Sequence, residues 1–178
     1  MSVGMAYEDP LDPPDEFRYI PSGQTNPDQS PDHRESLVML EKPYGLSVKA
    51  LVRGPDDRYL FILRSKDSHT HPGLWDLPGG KVETGEHFVN ALVREAHEET
   101  GLAITVERFL GASEFELEKF RVVNLIMLAR LVDGASDHLL LSAEHSDHRW
   151  VARSELMDLS LCPPTRSILD AYSREAIP

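Results

Sequence analysis

Cysteine is nearly absent. Cys162 is the single one in 178 residues, so the chain cannot close an internal disulfide and fits a reducing, cytoplasmic compartment. Long apolar runs are missing too. The greasiest stretch, Val122 to Ala129, is short and broken by Asn124, well below the roughly 18 apolar residues that a membrane helix needs. The opening residues, MSVGMAYEDP, have neither a basic head nor an apolar run, so no signal peptide is visible. Basic charge is in deficit: 18 Lys and Arg face 30 Asp and Glu, for a formal net charge of −12. That excludes a bulk nucleic-acid binder, which needs a basic footprint.

The acidic surplus is uneven. Residues 1–36 hold six of the 13 prolines and eight acidic residues against Arg18 and Arg34, a net of −6. Such a segment buries too little apolar surface to offset the entropy of ordering it, so it reads as a disordered tail. The competing reading docks Phe17, Tyr19 and Ile20 onto the body or a second subunit, which leaves a homodimer open. Residues 37–178 read as one domain of about 140 residues, enough for a single core. Leu46, Val48, Ala50 and Val52 alternate with Ser47, Lys49 and Arg53, as in a strand. Gly54-Pro55-Asp56-Asp57 then turns the chain into a second strand, Tyr59–Leu63. Further strands are expected at Ile104–Phe109, Arg121–Val132 and Trp150-Val151, and a last helix from Pro164 to about Ala176.

The chemistry concentrates in residues 80–102, GKVETGEHFVNALVREAHEETGL. Val89, Leu92, Val93 and Ala96 recur at helical spacing and predict a buried stripe. Glu95, Glu98 and Glu99 fall together on another flank, and Gly101 suits a left-handed C-terminal cap. Clustered carboxylates repel, so cations must offset them. Arg94 reaches Glu98 one turn on, and the remaining charge suits a hard divalent ion with oxygen ligands, Mg²⁺ or Mn²⁺. No Cys/His set stands at zinc spacing, and the pairs His69/His71 and His145/His148 lack a supporting third ligand.

The spacing is specific. Five residues separate Gly80 from Glu86, seven more precede Arg94-Glu95, and then follow Ala96, Glu98-Glu99, Gly101 and Leu102. This resembles the signature of the Nudix hydrolases, with every defining position filled; the run Pro72–Lys81 and the later Trp150-Val151 resemble flanking elements of its MutT-like branch. The resemblance implies an α/β/α sandwich with a mixed β-sheet and a loop–helix–loop active site. It implies hydrolysis of a pyrophosphate bond in a nucleoside diphosphate linked to another group. Glu95, Glu98, Glu99 and the carbonyl of Gly79 would hold Mg²⁺, Arg94 would orient the carboxylates, Glu86 would support the loop, and Gly80 and Gly101 would serve backbone shape.

The base that deprotonates water is either Glu95 or, outside the motif, Glu144. Glu114, Glu116 and Glu118 alternate and are weaker candidates. Arg64 and Lys66 could meet phosphates, and Trp75 could stack on a nucleobase or anchor the core. Markers of other branches are missing: Leu117 and Glu118 replace an expected ADP-ribose-branch proline, and the nearest aromatic to the dinucleoside-polyphosphate tyrosine is Phe120. A small-molecule nucleoside triphosphate, natural or oxidised, is left by elimination. ADP-ribose and dinucleoside polyphosphates are the alternatives. A non-catalytic nucleotide sensor is the alternative of another class, and the intact Glu95, Glu98 and Glu99 favour the enzyme.

Overall fold

Strand alternation at the start of the body produces β1, Tyr44–Arg53, and the Gly54–Asp57 turn, a short 3₁₀ segment, leads into β2, Tyr59–Arg64. The computed structural model describes residues 42–132 and 139–172, so the expected tail and its boundary near residue 36 lie outside the described residues. There follow β3, Trp75–Asp76; α1, Phe88–Thr100; β4, Ile104–Glu116; β5, Arg121–Leu131; β6, His145–Val151; and α2, Pro163–Tyr172.

The sheet is mixed. β1 runs parallel to β5 along its whole length, β5 is antiparallel to β4, and β2 is antiparallel to β3 and β6. Residues of β2 are buried on both faces, which a strand tolerates only when layers cover both sides. Val48, Ala50, Val52, Leu60 and Ile62 pack with Ala91, Leu92 and Ala96 of α1. Leu51, Tyr59, Phe61, Ile126 and Leu128 pack with Ile168 and Leu169 of α2. The architecture is the expected sandwich.

One feature of the pairing positions everything else. β1 and β2 pair in register only at Arg53 and Tyr59, and then part. The loop before α1 fills the edge that β1 leaves: Val48 N–H donates to Gly80 O at 2.9 Å, Ala50 N–H to Pro78 O at 2.8 Å, and Val82 N–H to Leu46 O at 2.9 Å. Gly79 can lie there because it takes φ +129, and a Cβ on it would stand 2.2 Å from Val48 O.

Several expectations shift. The buried stripe of α1 is Ala91, Leu92, Ala96, Glu99 and Thr100, while Val93 is 37% exposed. The helix is rotated from the apolar count because one carboxylate of the motif is itself turned inward. β4 continues seven residues beyond Phe109, held by its register with β5 through Glu116↔Arg121. β6 begins at His145, and Pro163 joins Pro164 at the start of α2. Gly101 caps α1 at φ 70, and its N–H donates to His97 O at 2.7 Å.

Gly79→Ala should therefore break the docking of the loop. A steric conflict with fixed backbone costs about 3 kcal/mol or more, and the thermal midpoint should fall by roughly 6–12 °C. A midpoint within 2 °C of the parent in a scanning-calorimetry trace would show that the loop is not held this tightly.

Candidate active site

The docked loop brings the motif's residues to one cavity of about 670 Å³. Arg94 is the hub of its outer rim. Its guanidinium makes a two-pronged contact with Glu86, Nε to Oε1 and Nη2 to Oε2, both at 2.9 Å. It also donates to Glu95 Oε1 at 2.9 Å and Glu98 Oε2 at 3.1 Å. One cation thus offsets the repulsion of three carboxylates, and its hydrogen bond to Glu86 holds that carboxyl below the usual range. A side chain on Gly80 would meet the carboxylate of Glu95 and require it to shift.

Glu99 lies deeper. It is 7% exposed and accepts the N–H of Gly79 at 2.7 Å. Burial pushes its carboxyl up to about 7, against the pull of Lys49 and the Gly79 N–H; the negative charges of Asp76 and Glu95 push the same way as burial. Lys49 is buried beside it. Its Nζ donates to Gly79 O at 2.5 Å and stands 3.0 Å from Asp76 Oδ2. Asp76 Oδ1 accepts from Thr165 Oγ1 at 2.5 Å and from Leu77 N–H at 2.9 Å. Burial opposes both charges of the Lys49–Asp76 pair, but each partner outweighs it, so the lysine is raised and the aspartate lowered.

Of the residues singled out in the sequence, Glu95, Glu99, Gly79, Gly80, Arg64 and Glu144 line this cavity. Glu98 does not: it is on the rim with its side chain 58% exposed and turned to Arg94. Glu86 and Gly101 act on backbone shape, through the Arg94 contact and the helix cap. Arg64 is largely committed elsewhere. Its donors hold Thr70 O at 2.7 Å, Ser68 Oγ at 2.7 Å and Thr70 Oγ1 at 3.1 Å, which shapes the loop after β2. Glu144 is exposed, and its own carbonyl accepts Ser65 N–H at 2.8 Å.

Of the two readings of Trp75, stacking on a base and anchoring the core, the structure supports the second. It is 8% exposed, belongs to the core on the α2 side, and is not in the cavity wall. Its strand is pinned by Ser160 O and Cys162 N–H at 2.9 and 2.8 Å, and the Arg149 guanidinium sits 4.9 Å from its ring centre. A ring so enclosed cannot stack on a base. Glu114, Glu116 and Glu118 also stand away from the cavity wall, with Glu116 paired to Lys42. A register shift between His145 and Asp147 breaks the alternation of β6; His145 is buried beside Glu99 while His148 is exposed, and among the described residues no third ligand joins them. His145 is buried, its Nε2 lacks a hydrogen-bond partner among the described residues, and burial lowers it to about 4. It is therefore neutral at pH 7, and its 3.7 Å approach to Glu99 is not an ion pair.

Lys49, Asp76, Thr165 and Asn124 were not identified as site residues from the sequence. In the sequence Lys49 is only one of the polar positions of an alternating strand. Asn124 was visible only as the interruption of an apolar run.

Among the described residues, no three His, Cys, Asp or Glu side chains already converge as a metal cage. The donor chemistry nonetheless fits a hard divalent cation. Glu95 and Glu99 offer carboxylate oxygens to the cavity, Gly79 adds a carbonyl, and a buried carboxyl as costly to ionise as Glu99 gains from a nearby positive charge.

The raised Glu99 carboxyl makes a pH prediction. The folded protein holds this proton more tightly than the unfolded chain, so its stability contribution is full below the ordinary carboxylate range and is lost as pH rises through about 7. With EDTA present, Glu99→Gln should be more stable than the parent at pH 8.5 by up to about 3 kcal/mol. The gap should close as pH falls toward 4. Denaturant titrations across that range measure it, and a gap independent of pH would show that Glu99 ionises normally.

Comparison with known proteins matches this arrangement. The model of the NUDIX domain matches residues 43–172. A CTP pyrophosphohydrolase of Escherichia coli is 30% identical over 128 residues, covering 71% of this chain and 90% of that protein. The nucleoside triphosphatase NudI of the same species is 29% identical over 122 residues, covering 64% and 86%. The crystal structure of a MutT protein from Methanosarcina mazei superimposes with a TM-score of 0.68 at 34% identity, covering 76% and 97%. The motif helix, the loop that feeds it and the sandwich that supports both identify this chain as a member of the Nudix hydrolase family.

Proposed function

We propose that the chain cleaves a nucleoside triphosphate, natural or oxidised, to the monophosphate and pyrophosphate, with Mg²⁺ as cofactor and Mn²⁺ able to replace it. The observation that carries this reading is the make-up of the cavity: Glu95, Glu99 and Lys49 at one end, Phe115, Leu117 and Val122 at the other. One end suits metal and phosphates, and the other suits a flat apolar group. The names of the relatives, a CTP pyrophosphohydrolase and a nucleoside triphosphatase, support the triphosphate.

Glu95, Glu98, Glu99 and the Gly79 carbonyl would hold the cation. When bound, it neutralises phosphate charge and acidifies an attacking water. The chain's own part is positioning, because phosphoryl transfer asks for little covalent chemistry from a protein. Arg94 and Glu86 keep the carboxylates aimed. Lys49 and the remaining charge of Arg64 draw the polyphosphate into the cavity. Glu144 takes the proton of the water. It lies on the cavity wall outside the Arg94 cluster, whereas the Glu95 carboxylate is already engaged by Arg94. The buried thiol of Cys162, pushed up to about 12 by burial, takes no part and suits a cytoplasmic setting.

The test is kcat/KM with Mg²⁺ for standard and 8-oxo nucleoside triphosphates against ADP-ribose and diadenosine tetraphosphate. Triphosphates should lead; a hundredfold lead for either of the others, about 2.7 kcal/mol, overturns the substrate. Glu98→Gln and Glu99→Gln should lower kcat by about two to four orders of magnitude, roughly 3–5 kcal/mol, with circular dichroism unchanged. Glu144→Gln should lower kcat by about 10²–10⁴ and leave Mn²⁺ affinity unaltered. Activity that survives both EDTA and the Glu98/Glu99 double change would refute the metal assignment.

A further inference from the structure

The face of the sheet under the cavity is graded in rows. Register places Lys49 beside Ile126, Ser47 beside Asn124 and Ser113, and Gly45 beside Val122 and Phe115. Successive rows are two residues apart, about 7 Å. The surface thus passes from an ammonium, through a carboxamide flanked by hydroxyls, to an apolar and aromatic row. Asn124 stands in the middle. It is 2% exposed, it lines the cavity, and its Oδ1 has no hydrogen-bond donor among the described residues. Ser113 Oγ does not serve it, donating instead to Pro164 O at 3.3 Å. A buried polar atom without a partner at a cavity wall is a position for a ligand group.

We propose that Asn124 reads the nucleobase, and that it selects a base whose Watson–Crick edge sets an exocyclic amine next to a ring-nitrogen acceptor, the pattern of cytosine and adenine. This rests on the reading that the cavity takes a nucleoside triphosphate. A carboxamide offers one acceptor beside one donor, and pairs with such an edge through two hydrogen bonds. Oδ1 is recessed, so the donor that reaches it must project from the ring. An exocyclic amine projects. Uracil has no amine, and its N3–H sits between two carbonyls and cannot project as far. Guanine has a 2-amine, but its neighbour on the Watson–Crick edge is N1–H, a donor, and its adjacent acceptor N3 faces the ribose. The row beyond, Val122 and Phe115, gives the ring an apolar and aromatic surface. The row before, Lys49, stands where the phosphates enter.

The experiment compares kcat/KM for CTP, ATP, UTP and GTP in the full chain, in Asn124→Leu, which keeps the volume and removes the pairing, and in Asn124→Ser, which covers a failure of the leucine variant to fold. Calorimetric binding of CMP, AMP, UMP and GMP to the same three proteins provides a second readout. The parent should favour cytosine and adenine over uracil and guanine by about tenfold to a hundredfold, and in either variant the ratio should collapse to within about threefold. A merely structural asparagine would lower all four substrates together and leave the ratio in place. An unchanged ratio, or a parent that favours UTP or GTP, overturns the assignment. If the parent hydrolyses none of the triphosphates, the proposed function fails, and the monophosphate ratios still decide the role of Asn124.

Discussion

The backbone of Pro78–Val82, lying against the open edge of β1, is the constraint on which the site depends. Three hydrogen bonds fix it, and they fix Gly79 in an orientation where its two polar groups point to different charges. The N–H faces Glu99 and the carbonyl faces Lys49. The next residue, Gly80, yields its side-chain space to Glu95. A helix carrying carboxylates is easily made, but carboxylates placed against a loop of fixed shape require this docking. Only glycine satisfies it at position 79, where both φ and the closeness of Val48 O exclude a Cβ.

Charge is arranged in two zones with different logic. On the rim, Arg94 serves three carboxylates in partial contact with water, so each pair is individually weak and the set is useful for aim more than for stability. Inside, Lys49 and Asp76 have lost water and depend on each other, on Thr165 and on Gly79. A buried pair of this kind adds little net stability, though removal of one member is severe. Its value lies in joining β1, β3 and α2 at the cavity floor. Glu99 is left between the zones with one N–H and a shared lysine, less than an ionised carboxylate needs.

Much of this was legible in the sequence. The spacing from Gly80 to Leu102 located the helix, its cap and the clustered acids, and alternation located β1 and β2. These are local patterns, and their physical cause lies within a few residues. The losses were long-range. Lys49 is only a polar position of a strand until Asp76, 27 positions on, is folded beside it. Trp75 reads equally as a stacking or an anchoring ring, because nothing nearby announces that Ser160, Cys162 and Arg149 will close around it. Val93 matched the apolar period but faces out, because Glu99 claims part of the inward face. Ile104–Glu116 exceeded its expected length because pairing with β5, not its own composition, extends it.

The separation of β1 from β2 beyond their turn also bears on how such a chain can diverge. The carboxylate end of the cavity hangs on α1 and the loop docked at β1, while the apolar end is built from the far tips of β4 and β5, around Phe115 and Val122. Those tips are joined by the short Leu117–Phe120 turn, with Leu117 N–H donating to Phe120 O at 2.8 Å, and among the described residues no backbone hydrogen bond joins them to the motif loop. Substitutions or insertions in that turn can remodel one wall without touching the other. Lineages can thus exchange the molecules they accept while the reaction they perform is inherited unchanged.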